Sequence, residues 1–286
     1  MILATFEASF DASTLVEGGR AHGHCSFGLN PSGTASIEAL VNGPIQTNSY
    51  AVISSGECLI IDPAWEGERL VEHIYAKHPD ARVLGAVCTH GHADHVGGVA
   101  GARAAVGKGF LYELGAKDVL VSRENIEEQR AMWGIDTPDP GEPTRLLAEG
   151  DTIELGDICL QVIETPGHTP GGIVLFAATE QGSIAFVGDT LFPGSHGRTD
   201  LAGGDEAAIL RSLSKLAQLL PADTVCLTGH GDSTTMAREL MQNLSCRCSF
   251  AVSCLSTRSV QTSRYFPQRA DSVGQTVKKS LFGRYS

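Results

Sequence analysis

The sequence predicts an α/β fold built as an αββα sandwich, two mixed β-sheets packed face to face with helices on both outer surfaces. Two observations carry that expectation. Short apolar runs of β type, bounded by turn residues, come in two batches, and each batch is followed by a helix-rich segment. Apolar residues make up 42% of the 286-residue chain and charged residues only 19%, a composition that suits buried sheets.

The elements follow in order. "SIEALVNG", "NSYAVISS" and "ECLIIDP" are the first strands. "EGERLVEHIYAKH" places Leu70, Val71, Ile74 and Tyr75 at helical spacing. "RVLGAVCTH" is an apolar strand that runs into a histidine cluster, and the Ala-rich "HVGGVAGARAAVG" is expected to be helical after its glycine pair. Residues 114–134 read as a partly amphipathic helix and "DTPDPGEPT" as a proline-rich loop. The second batch opens with "DTIELGDICLQVIETPG", a hairpin turning at Gly156-Asp157, and continues with "GIVLFAA" and "SIAFVGD". "DEAAILRSLSKLAQLL" is a helix with Ile209, Leu210, Leu213, Leu216, Ala217 and Leu220 on its apolar face. "ADTVCLTGHG" is a last strand and "TTMARELMQNL" a last helix.

Two stretches lie outside this pattern. Residues 1–35 are rich in Gly, Ser and Ala with weak periodicity, and are expected to be a weakly structured extension of the 36–244 domain. Residues 245–286 are Ser-rich, carry seven Lys or Arg against one Asp, and are expected to be a disordered basic tail. The whole chain has a net charge of −12, so the body is more acidic still, which disfavours nucleic-acid binding. No run approaches the ~18 apolar residues of a membrane span. The start of the chain shows no signal-peptide pattern. Several of the eight cysteines sit inside apolar strand-like runs, where they behave as small hydrophobes and point to a reducing compartment, hence the cytoplasm. Nothing in the pattern sets the oligomeric state.

The chemistry concentrates in "CTHGHADHVGG", residues 88–98. Imidazole and carboxylate suit zinc and other divalent first-row metals. His90 and His92, two residues apart just after a strand, can chelate one ion; Asp94 and His95, further on, can face a second. Neither set is complete alone. His168 in "ETPGHTPGG", Asp189 in "AFVGDTLF" and His230 in "CLTGHGD" offer further ligands at strand ends or in Gly-bounded loops, where sites are built. Five histidines and two aspartates suffice for two ions with one carboxylate between them. The other His-x-His, His22 and His24, has no such company.

Taken in order, "THGHADHVGG", "PGHTPGG", "GDTLFPGSHGRTDL" and "GHG" resemble the metallo-β-lactamase fold superfamily, over about residues 36–244 and with "GPIQTNSYAV" and "LIIDPA" at the front. Within it the chain is most similar to glyoxalase II (hydroxyacylglutathione hydrolase) and its shorter bacterial relatives. That resemblance implies a binuclear hydrolase of a small-molecule thioester such as S-lactoylglutathione. His90, His92 and His168 would hold metal 1, Asp94, His95 and His230 metal 2, and Asp189 would bridge. Asp94 or Asp189 would steer the nucleophile's proton, Asp62 and Thr89 would orient ligand imidazoles, and Arg198 would contact the glutathione part. The ions would be Zn2+, with Fe or Mn as alternatives. The same fold also houses a mononuclear iron persulfide dioxygenase and lactonases. β-Lactamase activity is not expected, because the commonest zinc class has Cys where Asp189 stands and lacks the His95 equivalent. Glyoxalase II proper continues into a helical domain; here one helix follows His230 before the basic tail.

Overall fold

Two sheets lie face to face, as the strand batches imply. The computed structural model describes residues 7–11, 33–134, 136–243 and 246. His22, His24 and nearly all of the basic tail lie outside them.

The first sheet has seven strands in sequential order: β1 (Glu7–Asp11), β2 (Ser36–Asn42), β3 (Thr47–Ser54), β4 (Glu57–Ile61), β5 (Arg82–Cys88), β6 (Leu111–Gly115) and β7 (Arg145–Leu147). Neighbours from β1 to β4 are antiparallel; β4 to β7 run parallel. The second sheet is ordered β15 (Thr234–Thr235), β14 (Val225–Thr228), β11 (Gly182–Gly188), β10 (Ile173–Thr179), β9 (Ile158–Glu164) and β8 (Thr152–Leu155). Only β11 and β14 pair in parallel. A small hairpin, β12 (Leu191–Phe192) with β13 (Ser195–His196), stands apart. The β8–β9 turn falls at Gly156-Asp157, as expected.

Three apolar layers make the sandwich. Ile37, Tyr50, Val52, Leu59 and Ile61 of the first sheet meet Leu160, Val162, Leu175, Phe186 and Leu227 of the second. On the outer face of the first sheet, Cys58, Ile60, Ala86 and Tyr112 pack on α1 (Gly67–Lys77) and α3 (Val99–Val106). On the outer face of the second, Ile163, Phe176, Val187 and Cys226 pack on α5 (Glu206–Leu219) and α6 (Met236–Gln242). A strand such as β4 thus sends Leu59 and Ile61 one way and Cys58 and Ile60 the other, so its run has no polar face. The α5 N-terminus is capped by Asp205, which accepts from Ala208 N at 2.9 Å. Cys58, Cys88, Cys159, Cys226 and Cys246 are free thiols.

Some details depart from the sequence reading. Residues 114–134 are not one helix: β6 runs through Gly115, a 3-10 turn covers Ala116–Asp118, and α4 occupies Val119–Trp133. Tyr75 and Leu210 lie at the exposed margin of their helices rather than in the core. A four-residue helix, α2 (Ala93–Val96), precedes α3. The strand β1 lies within residues 1–35, where periodicity marked no element, and pairs with β2. His73, Lys77 and His78 of the α1 segment gather around the buried Glu38, at 2.9, 3.0 and 3.1 Å.

Candidate metal centre

Strand direction brings the polar residues together. Parallel β4, β5 and β6 deliver Asp62, Thr89-His90 and the Ala116–Asp118 turn to one edge of the first sheet. Parallel β11 and β14 deliver Asp189 and His230 to the matching edge of the second. His168 lies in the turn between β9 and β10. Asn48 N donating to Gly229 O at 2.7 Å and Ile173 N donating to Thr89 O at 2.8 Å stitch the two edges together.

All seven candidate ligands converge, in the two groups expected. His90 Nε2 lies 3.1 Å, and His168 Nε2 3.0 Å, from His92 Nδ1. Two nitrogens on one tetrahedral zinc at ~2.0–2.1 Å would stand about 3.3 Å apart, so this trio is already close to ligand spacing. In the second group Asp94 Oδ2 lies 3.2 Å from His230 Nε2 and 3.4 Å from His95 Nε2. Asp189 spans both groups: Oδ1 is 3.5 Å from His95 Nε2, and Oδ2 is 3.6 Å from His168 Nε2 and 3.7 Å from His230 Nε2. Asp94 is not the cap of α2; His92 holds that position, and the Asp94 carboxylate turns into the site.

The residues fit a cation. His95 Nε2 and Asp189 Oδ1 are buried, face each other and have no hydrogen-bond partner. A buried orphan of this kind costs ~1–3 kcal/mol unless something satisfies it. The space beside them exists because residue 229 is glycine: a Cβ there would sit 2.1 Å from Asp189 Oδ1. Charge points the same way. Burial opposes a positive His95, but Asp94, Asp62 and Asp189 outweigh it and lift the imidazole to about 10. A proton there balances carboxylates that a metal would otherwise balance. Burial and the neighbouring histidines hold His90 far below its ordinary value and His92 down to about 3, so both offer neutral ligand nitrogens. Burial also resists ionisation of Asp94, yet His95 and His230 hold its carboxyl well below the usual range.

Neighbouring groups set which nitrogen faces the site. Asp62 accepts from Thr89 N at 2.6 Å and Thr89 Oγ1 at 2.8 Å, and its Oδ2 is 3.0 Å from His95 Nδ1. Because the Thr89 hydroxyl donates to Asp62, it is left to accept from His90 Nδ1 at 3.2 Å. His168 Nδ1 donates to the Arg198 carbonyl at 2.7 Å. In each case the Nδ1 contact turns Nε2 toward the site. Asp62 itself adopts a left-handed backbone, φ 49°, at the strand end.

Arg198 borders the cleft, but its guanidinium pairs bidentately with Asp200, at 2.7 Å for both bonds, while Asp205 caps α5. Its clearest tie to the site is through its backbone carbonyl on His168. Other positioning residues carried no sequence signal strong enough to single them out. Gln129 Nε2 donates to Asp94 Oδ1 at 3.1 Å, and Thr47 Oγ1 donates to Asp94 Oδ2 at 3.3 Å. Asn125 Oδ1 accepts from Ala93 N at 2.9 Å. Asn48 Nδ2 donates to Thr228 O and Gly231 O, both at 3.0 Å, which fixes the His230 loop. The i, i+4 spacing of Asn125 and Gln129 on α4 was the one available hint. A cleft of about 180 Å³ opens over the centre between α4, with Glu128 and Gln129, and a wall containing Ile45, Leu201 and Arg198.

Residues 42–230 match the sequence profile of the metallo-beta-lactamase superfamily. The hydroxyacylglutathione hydrolase GloC of Haemophilus influenzae is 34% identical over 185 residues, 64% of this chain and 84% of that protein. The crystal structure of TTHA1623 in a di-iron-bound form superposes with a TM-score of 0.64 at 35% identity, covering 72% of this chain and 98% of that one. That of the BLEG-1 B3 metallo-beta-lactamase gives the same TM-score at 29% identity, covering 73% and 99%. The two-sheet sandwich, the converging His/Asp cluster and these matches agree: the chain belongs to the metallo-beta-lactamase superfamily.

Proposed function

We propose that the chain is a cytoplasmic, binuclear metal-dependent hydrolase that cleaves a glutathione-type thioester such as S-lactoylglutathione. The observation that carries this reading is Asp189, whose two oxygens reach both ligand groups at once. His90, His92 and His168 would hold one ion, Asp94, His95 and His230 the other, with Zn2+ as the expected metal. Two such ions would lower the pKa of a bound water to near neutrality and polarise a carbonyl oxygen.

The chain's own groups do the rest. Asp94 and Asp189 line the cleft, and one of them would take the proton of the attacking water. Gln129 and Thr47 hold the Asp94 carboxylate still, so its orientation does not have to be found during the reaction. Water adds its oxygen to the thioester carbon, the C–S bond breaks, and an acid and a thiolate leave. A thiolate needs little assistance, since a free thiol has a pKa of only ~8.5. Ile45 and Leu201 offer apolar surface to the acyl or thiol chain, and Arg198, once released from Asp200, a partner for a substrate carboxylate. The similarity to the Haemophilus hydrolase supports the thioester assignment. Among the described residues no helix is long and apolar enough to cross a membrane.

The test is Asp189→Ala in the full-length chain. S-lactoylglutathione turnover should be abolished with the melting curve nearly unchanged. Turnover that persists in the variant would rule out the bridging role. Hydrolysis by wild type of a β-lactam or a lactone in preference to the thioester would reassign the substrate.

A further inference from the structure

Asp118 ends the 3-10 turn between β6 and α4 and is fully buried. Its carboxylate accepts three hydrogen bonds, all from two loops that each carry a metal-1 histidine. Gly91 N, between His90 and His92, donates to Oδ2 at 2.8 Å. Thr169 Oγ1, directly after His168, donates to Oδ2 at 2.7 Å, and Gly171 N donates to Oδ1 at 2.5 Å. The two loops are far apart in sequence, and this one side chain joins them. The contact is tight from both sides. A Cβ at Gly91 would lie 2.6 Å from Asp118 O, and one at Gly171 would lie 2.6 Å from Asp118 N.

We propose that Asp118 is a positioning residue that sets the affinity of the His90–His92–His168 site for its ion by clamping these two loops in register. The inference rests on the reading of those histidines as ligands of one metal. Preorganisation is the physical reason. Three imidazoles separated by a loose loop must pay ordering entropy on every binding event, whereas clamped loops present them already converged. The second group is supported differently: Asp94 by Thr47 and Gln129, His95 by Asp62, and the His230 loop by Asn48. None of these supports involves Asp118, so its effect is confined to metal 1.

Asparagine is the discriminating substitution. The two backbone donors address different oxygens, Gly91 to Oδ2 and Gly171 to Oδ1. Whichever way an amide is turned, its NH2 faces a backbone N–H and one loop is released.

The experiment measures Zn2+ affinity by competition with a chromophoric chelator in two single-site backgrounds of the full-length chain. His230→Ala leaves only the metal-1 group complete, and His92→Ala only the metal-2 group. Asp118→Asn should weaken Zn2+ by roughly 10–100-fold in the first background and leave the second within about threefold. Thr169→Val removes a single bond and guards against simple unfolding. It should give a smaller loss, again only in the first background, with an unchanged melting temperature. Zn2+ binding in both parents with equal losses, or with no loss, overturns the clamp while leaving the metal reading intact. Parents that bind no Zn2+ at all overturn the metal reading, and the clamp with it.

Discussion

Gly229→Ala adds one methyl group to the chain, and the structure fixes where that methyl goes. The backbone of Gly229 is not in the left-handed region, so alanine meets no conformational obstacle. The obstacle is the site. The new Cβ would lie 2.1 Å from Asp189 Oδ1 and 2.8 Å from His95 Cε1, where ordinary contact begins at 3.4 Å. To restore contact distance the Asp189 carboxylate must withdraw by roughly 1.3 Å, and a displacement of about 1 Å at a reacting centre costs on the order of 100-fold in rate. Stability should change little by comparison: overpacking costs about 1–3 kcal/mol, and the loss of glycine's unfolded-state freedom returns about 0.4–1 kcal/mol. The assay follows the thioester absorbance of S-lactoylglutathione alongside urea unfolding and metal content. kcat/KM should fall at least ~100-fold, with fewer ions retained per chain. Wild-type kcat/KM together with wild-type metal content would refute the placement of Asp189 between the two groups.

Other perturbations test the supports of the site and the fold. Asp62→Ala removes the acceptor of His95 Nδ1 and should weaken binding of the second ion by about 10–100-fold in a chelator titration, with the first ion less affected. Phe186→Ala empties the space between the sheets where the Phe186 ring meets Tyr50 edge to face at 5.4 Å, and should cost about 3–5 kcal/mol in urea unfolding. Glu38→Gln tests the acid limb of stability. Burial opposes the Glu38 charge, but His73, Lys77 and His78 outweigh it and hold the carboxyl below its ordinary value. A depressed carboxyl stabilises the fold above its unfolded value of ~4.3 and loses that contribution as pH falls through the folded one. Over the carboxyl range the stability gap between wild type and Glu38→Gln should therefore shrink as pH falls, and a gap that widens over that range would contradict the ion cluster.

The candidate ligands were legible because they are uncommon residue types placed at the ends of apolar runs, where each side chain has few structural alternatives. Of the supports, Asp62 and Thr89 came with the motif resemblance; the others were not legible. Asp118, Asn125 and Gln129 act on partners 27, 32 and 35 residues away, and no local pattern records such a pairing. Strand β6 was hidden for a related reason. It alternates Tyr112 and Leu114, which face the helices, with exposed Leu111 and a buried but charged Glu113, and it runs through a 3-10 turn into α4, so a helical period starting near residue 114 absorbed its end. β7 is three residues long, with Arg145 and Leu146 exposed, too short and too polar to carry a period of two. Arg198 adds a contact that the motif did not suggest: its backbone carbonyl accepts from His168 Nδ1.

The proposed two-metal hydrolase needs one bridging carboxylate and two ligand groups that each hold an ion. Metal content per chain, measured by mass spectrometry on protein purified without added metal and paired with S-lactoylglutathione hydrolysis on the same sample, tests it most directly. Two divalent ions per chain, with hydrolysis that disappears on chelation and returns on their readdition, is the predicted result. One iron per chain, with oxygen uptake on glutathione persulfide and no thioester hydrolysis, would contradict it.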